Sequence, residues 1–265
     1  MGYRKKGERT ELSRVISLFI KKCGNSYSVS YVEQQLLNTF PWFSKGKGVR
    51  KKNFYGIIKE KEVGMENVLF VLNIVGIVAF AISGAMKGMK YSLDILGVVV
   101  LGILTALGGG MVRDVLLNQV PMALLHENDL GYAIVASVMT YFFGKRIQNV
   151  TSWVRYFDAL GLAVFTVVGA EKGIQASLGI LGVVIMGTST GVVGGMLRDI
   201  LVSEIPSVLK EEIYASFCIV GSMMYYFLFR FGVSHLVTLL VVVCFIFVGR
   251  VLAIRYDWHL PRRSL

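Results

Sequence analysis

One stretch of this sequence is written twice. Phe80 to Pro121 aligns with Phe165 to Pro206 at a constant offset and without a gap, and 21 of the 42 aligned positions are identical. Gly84 recurs as Gly169, Lys87 as Lys172, Thr105 as Thr190, and the run Gly109-Gly110-Met111 as Gly194-Gly195-Met196. Arg113-Asp114 returns as Arg198-Asp199, and Pro121 as Pro206. A duplication this long constrains the fold more than any local propensity, because each copy must build the same supersecondary unit.

The solvent of that unit follows from how the apolar residues are grouped. They make up 54% of the chain, and from Asn67 onward they gather into blocks at about 67–86, 93–112, 130–144, 156–170, 178–197, 213–231 and 235–253. A helix needs about 20 residues to cross a hydrocarbon core of roughly 30 Å. Seven transmembrane spans are therefore expected, the third and fourth short. Each repeat holds three spans, an odd number, so the second copy enters the bilayer from the opposite side. The expected fold is an all-α membrane protein of seven transmembrane helices: two inverted three-helix repeats, residues 65–150 and 151–232, plus a seventh helix and basic tail in 233–265. Inverted repeats recur in proteins whose substrate path runs between the two halves near the midplane, which points to permeation.

Net charge has to be read by region. Residues 1–64 hold half of the chain's 28 Lys and Arg but only 5 of its 17 acidic residues, so the basicity belongs to an N-terminal extension and argues against nucleic acid as a partner of the membrane body. Elsewhere Lys87, Lys90, Lys145, Arg146, Arg155, Arg198, Lys210, Arg255, Arg262 and Arg263 fall on the side of the C-terminus, against Arg113, Lys172 and Arg230. Positive charge is retained in the cytoplasm, so a multi-pass protein of the cell inner membrane with a cytoplasmic C-terminus is expected. Seven spans would then put the basic extension outside. The preferred resolution is a native start at Met65; the alternative is a basic, partly helical segment that binds anionic lipid through Val15, Ile16, Phe19 and Ile20.

Cys23, Cys218, Cys244 and the three His residues are scattered, so the spacing suggests neither a disulfide framework nor a metal centre. The Gly-rich runs follow no strand and lack the GxxxxGK[ST] pattern of a phosphate loop. No Ser/His/Asp constellation stands out, and neither a catalytic residue nor a cofactor is expected.

The residues that remain sit on the second and fifth spans. Gly102, Ala106 and Gly110 form a small-residue ladder at i, i+4 and i+8, repeated by Gly187, Gly191 and Gly195. Close helix packing explains such ladders. Gly108-Gly109-Gly110 and Gly194-Gly195 exceed that need, each Gly being about 1 kcal/mol less favourable than Ala in a helix, so a bend or break is expected. Freed carbonyls there, with the hydroxyls of Thr105, Thr190, Thr188 and Ser189, would line a pore. Arg113-Asp114 and Arg198-Asp199 either sit at the interface, with the Asp capping a neighbouring turn, or flank the pore mouths. Asp158 is an ionisable residue near the start of the fourth span, where lipid exposure is costly; it faces either the protein interior or the headgroup level marked by Arg155. Lys87 and Lys172 end the first and fourth spans, either as snorkelling anchors or as lipid-headgroup or gating contacts.

At these residues the sequence resembles the prokaryotic trimeric intracellular cation channel family, whose members also carry the labels of uncharacterised membrane proteins and glycine transporters. The resemblance runs from about Met65 to Arg262 and rests on GGxxRD at Gly109 to Asp114 and at Gly194 to Asp199, with DAxGLAxF at Asp158 to Phe165. It implies a homotrimer with one pore per protomer, glycine-induced bends in the second and fifth helices, conduction of monovalent cations, chiefly potassium, and a gating role for Asp158. Animal members bind an inositol lipid through basic residues on the fourth helix. Lys172 alone stands in that neighbourhood here, so lipid regulation is not carried over. The competing expectation is a secondary transporter of glycine or another small amino acid, with Arg113 or Arg198 meeting the carboxylate and Asp158 the amine; a lipid-binding structural protein is a third.

Overall fold

The computed structural model describes residues 49–144, 150–210 and 213–258. The apolar face expected at Val15, Ile16, Phe19 and Ile20 lies outside these, as do Lys145, Arg146, Arg262 and Arg263. All regular structure among the described residues is helical: α1 Val49–Lys90, α2 Ile95–Leu116, α3 Met122–Leu125, α4 Glu127–Phe143, α5 Val150–Gln175, α6 Ile180–Leu201, α7 Ser207–Lys210, α8 Tyr214–Arg230 and α9 His235–Tyr256. Val68–Lys90 of α1 and the whole of α2, α5, α6 and α9 are long and apolar enough to cross a membrane. The other two expected spans, α4 and α8, are 17 residues each, about 25 Å of helix.

Two expected lengths change. The fourth span, read as short from its apolar block, is a helix of 26 residues. Its hydrogen bonding continues through polar Thr151, Ser152 and Arg155 at one end and Glu171 and Lys172 at the other, so the apolar block marks only part of it. The sixth, expected to cross fully, is among the short ones.

The described residues fall into two units, one of 49–68 with Phe227–Thr238 and the other of Leu69–Tyr226 with 239–258. In the first, α8 ends in a turn at Gly232, whose φ of 73° is left-handed. Val233 N–H donates back to Leu228 O at 3.1 Å, closing the helix end with the αL residue that glycine supplies without steric cost.

The second unit holds the duplicated segment, and the duplication extends to its turns. After α1, Ser92 has φ 57° and Leu93 N–H bonds Gly88 O at 3.0 Å; after α5, Ser177 has φ 57° and Leu178 N–H bonds Gly173 O at 3.0 Å. Asn118 and Ser203 repeat the device after α2 and α6, with Gln119 N–H on Asp114 O and Glu204 N–H on Asp199 O, each at 2.9 Å. These six-to-one bonds satisfy carbonyls that a helix end leaves bare.

At the centre α2 and α6 touch backbone to backbone. A Cβ on Gly109 would collide with Thr190 O, and one on Gly194 with Thr105 O. Exchanging the two copies exchanges these contacts, which is the property of a two-fold relation between them. Gly84 against Thr105 Oγ1 and Gly169 against Thr190 Oγ1, where an added Cβ would lie 2.5 Å away in each case, obey the same rule.

Of the bend or break expected at these glycines, the break is absent: α2 and α6 are continuous 22-residue helices. The propensity cost of each glycine is offset by the dispersion contacts that close backbone approach permits. We expect Gly109→Ala and Gly194→Ala each to lower stability by about 1–3 kcal/mol, the usual cost of overpacking, read as a lower thermal midpoint in detergent. Gly131→Ala on α4, where an added Cβ meets nothing within 4 Å, is the control that leaves the midpoint unchanged or raises it. A midpoint for Gly109→Ala equal to the control's would contradict the crossing.

Candidate functional site: two charged cavities related by the repeat

The glycine crossing is followed in each copy by an Arg-Asp pair that turns inward. Arg113 and Arg198 are 6% and 2% exposed, so neither snorkels to the interface. Each guanidinium is held by its own neighbour, Arg113 Nε donating to Asp114 Oδ1 at 2.8 Å and Arg198 Nε to Asp199 Oδ1 at 2.9 Å. The second carboxylate oxygen anchors the following segment: Asp114 Oδ2 accepts the Met122 N–H, and Asp199 Oδ2 the Ser207 N–H, both at 2.8 Å. The aspartate thus ties the start of α3 or α7 to the end of α2 or α6.

Around Arg198 the network grows. Its Nη1 donates to Asp158 Oδ1 at 2.5 Å and to Ser83 Oγ at 2.6 Å. Asp158 is 2% exposed and so faces the interior, opposite a buried cation, rather than the headgroup level. Lys87 of α1 approaches Asp199 Oδ1 at 3.3 Å and donates to Glu204 Oε2 at 2.9 Å. At 7% exposure it is not the outward anchor its place in the sequence suggests. The Tyr91 hydroxyl donates to the other Glu204 oxygen, and that bond, with Lys87, holds the Glu204 carboxyl below the usual carboxylate range against a smaller opposing effect of burial. Lys87, Asp158, Arg198, Glu204, Tyr214 and Arg250 border a cavity of about 290 Å³, and the Arg250 guanidinium sits 4.5 Å from the Tyr214 ring centroid.

The other copy has a smaller counterpart. Asn73, Arg113, Asp114, Asp129 and Phe165 border about 40 Å³, and Asn73 Nδ2 donates to Asp129 Oδ2 at 3.2 Å. The offset of the repeat carries Asn73 onto Asp158 and Asp129 onto Tyr214. The smaller cavity therefore places one carboxylate, Asp129 of α4, beside its Arg-Asp pair, and the larger places two, Asp158 of α5 and Glu204. Lys172 lies within the field of Arg113 and Asp114, as Lys87 lies beside Asp199 at the other end.

Thr105 and Thr190 are buried in the crossing, each donating its hydroxyl to its own helix, to Leu101 O and Met186 O at 2.6 Å. Gly108 and Gly194 are buried there too, while Gly110 borders the smaller cavity. Gly195 faces Tyr214 and Asp158, where an added Cβ would lie 2.8 Å and 3.2 Å from the hydroxyl and carboxylate oxygens. Sequence reasoning missed Ser83, Glu204 and Tyr214, and it missed Glu171, a buried α5 carboxylate that accepts the Tyr225 hydroxyl of α8 at 2.6 Å. Carrying the repeat alignment back to Asn73 and forward to Asp129 pairs Asn73 with Asp158 and Asp129 with Tyr214.

Buried ion pairs at two-fold related positions, inside helices long and apolar enough to span lipid, define a multi-pass helical membrane protein with a duplicated core. A family model described as Glycine transporter matches twice, over residues 70–146 and 155–230, one match per copy. The Escherichia coli K12 protein called UPF0126 inner membrane protein YadS is 39% identical over 203 residues, 75% of this chain and 97% of that one. Among solved structures, one described under "Structural basis for conductance through TRIC cation channels" is 40% identical, with a TM-score of 0.68 over 74% of this chain and 97% of the other. A TRIC trimeric intracellular cation channel orthologue from Rhodobacter sphaeroides is 30% identical, with a TM-score of 0.70 over 72% and 99%. The chain belongs to this TRIC and UPF0126 family.

Glu204 generates a pH prediction. Because its carboxyl ionises more readily in the folded protein than in the unfolded chain, its pairing with Lys87 and Tyr91 contributes stability that is complete above the ordinary glutamate range. That contribution is lost as pH falls through the lower, folded value. Thermal midpoints of the wild type and of Glu204→Gln are therefore expected to differ by a constant amount from neutral pH down to about pH 5 and to converge below it. A gap that persists unchanged at about pH 3, below the ordinary glutamate range, would show that the carboxylate's charge is not what holds Lys87.

Proposed function

We propose that the protein is a membrane channel that passes monovalent cations, potassium foremost, along a path within each protomer of a homotrimer, with α2 and α6 at its centre. The observation that carries this reading is the pair of two-fold related polar cavities, each with a buried Arg-Asp pair and an added carboxylate, on either side of one glycine crossing. Three solved relatives described as TRIC channels support it at 30–40% identity. In the larger cavity Lys87 and Arg198 are paired with Asp158, Asp199 and Glu204, while Lys90, Arg155, Lys210 and Arg250 also line it and leave the wall net basic, so the carboxylates are the groups that would meet a passing cation. The arginines keep the aspartates aligned and limit how tightly they hold an ion. Weak, multiple sites are what conduction requires.

In the same reading α4 and α8 cross the bilayer with the five longer helices, making seven spans and placing the copies in opposite senses. Being the shorter helices, they cross with little tilt, their polar neighbours reaching the interface. Lys90, Arg155, Lys210 and Arg255 then share the cytoplasmic side with the C-terminus. Asp158 serves as the gating group, since opening the larger cavity requires its bond to Arg198 to change.

The family description favours a second reading, transport of glycine. A zwitterion would have to separate Asp158 from Arg198, giving its ammonium to one and its carboxylate to the other. Purified protein in liposomes separates the two: we expect a potassium current that grows without saturation over the millimolar range, and no saturable uptake of labelled glycine. Saturable glycine uptake without unitary current would replace the channel with a transporter.

A further inference from the structure

The two cavities share no lining residue, and an aromatic contact begins at the wall of the smaller one. Phe80 of α1 and Phe165 of α5, offset partners in the repeat, meet with ring centroids 5.3 Å apart and planes tilted by 37°. They are 1% and 5% exposed. Each ring is seated on a glycine of the opposite copy: a Cβ on Gly161 would collide with the Phe80 ring, and one on Gly76 would lie 3.1 Å from the Phe165 ring. Gly76 and Gly161 are themselves equivalent positions under the repeat offset, so the arrangement obeys the same two-fold rule as the helix crossing.

The pair is wedged against that crossing. A Cβ on Gly194, whose backbone meets Thr105, would lie 3.3 Å from the Phe80 ring, while the next residue, Gly195, faces Asp158 and Tyr214 of the larger cavity. On the other side Phe165 is part of the wall of the smaller cavity. The ring pair thus borders the smaller cavity through Phe165 and, through Phe80, comes within one residue of a glycine that faces Asp158 and Tyr214 of the larger. Two phenyl rings in contact leave no space for water, and an apolar constriction without water excludes an ion that must keep its hydration.

We propose that Phe80 and Phe165 form the gate of the cation path, an aromatic plug that the two halves of the protein contribute equally. The proposal rests on the channel reading and adds to it the residues that interrupt the path. An aromatic contact of this kind also stabilises a core, by about 0.5–1.5 kcal/mol beyond the area it buries. A packing role alone does not require the pair to border one polar cavity and approach the other, or each ring to face a glycine. Each ring fills the space that a side chain at its glycine would occupy.

The test is potassium flux into liposomes carrying wild-type protein, Phe80→Ala, Phe165→Ala, or the milder Phe80→Leu and Phe165→Leu. Removing either ring is expected to raise flux about tenfold, the effect of lowering a barrier by about 1.4 kcal/mol, and each leucine variant to raise it less. The potassium-over-chloride reversal potential is expected to stay at the wild-type value, because the charged clusters remain. If the alanine variants fail to elute as the wild type does, the leucine variants decide. Wild-type flux with no increase in any correctly assembled variant would overturn the gate and leave the channel standing. No flux above empty liposomes in any sample would overturn both.

Discussion

The structure depends on two peptide backbones being able to touch inside a membrane protein. Where α2 meets α6, Gly109 lies against the carbonyl of Thr190 and Gly194 against that of Thr105, and a single methyl group at either glycine would force the helices apart. In lipid the hydrophobic effect gives helices little reason to associate, so close van der Waals contact and polar bonds must hold them. The crossing supplies the contact, and the Arg-Asp pairs just beyond it supply the polar bonds. Because the two helices are copies of one another, each meeting is made twice by the same chemistry.

The copies have diverged where the charged clusters lie. Asp158 stands where the first copy has Asn73, Glu204 where it has Gln119, Tyr91 where the second has Ala176, and Glu171 where the first has Met86. The result is a dense network at one end, with Lys87, Asp158, Arg198, Asp199 and Glu204 linked in sequence, and a sparse one at the other. Breaking a buried pair by deleting one partner typically costs about 3–5 kcal/mol, and the dense end holds more such pairs.

Much of this was legible in the residues. The duplication announced itself, and with it the paired roles of Gly109 and Gly194 and of the two Arg-Asp dipeptides. Lys87 was misplaced because position at the end of an apolar block says nothing about which way a side chain turns; its partner Asp199 belongs to the other copy of the repeat, and only folding brings them together. The glycine runs point to a bend or a break by propensity, which sums the cost along one helix; the contact that keeps the helices unbroken comes from another and carries no local signal. The lengths of α5 and α8 were misjudged because hydropathy reports which residues suit lipid, whereas helices end where capping groups and turns end them. Tyr214 and Ser83 carried no local signal, being ordinary residues at ordinary positions until the tertiary fold set them beside Asp158 and Arg198.

The reciprocity of the glycine contacts bears on how such a chain could have arisen. A surface in which residue i of one unit meets residue j of another, and j meets i, is self-complementary. A half-length ancestor carrying one glycine, one threonine and one Arg-Asp dipeptide would therefore already possess both sides of the interface, and two separate copies could pair as a homodimer. Gene fusion would then fix the pairing without inventing any new surface, and would free the partners to specialise: Asp158 and Glu204 are changes that a symmetric dimer would have had to accept at both ends at once.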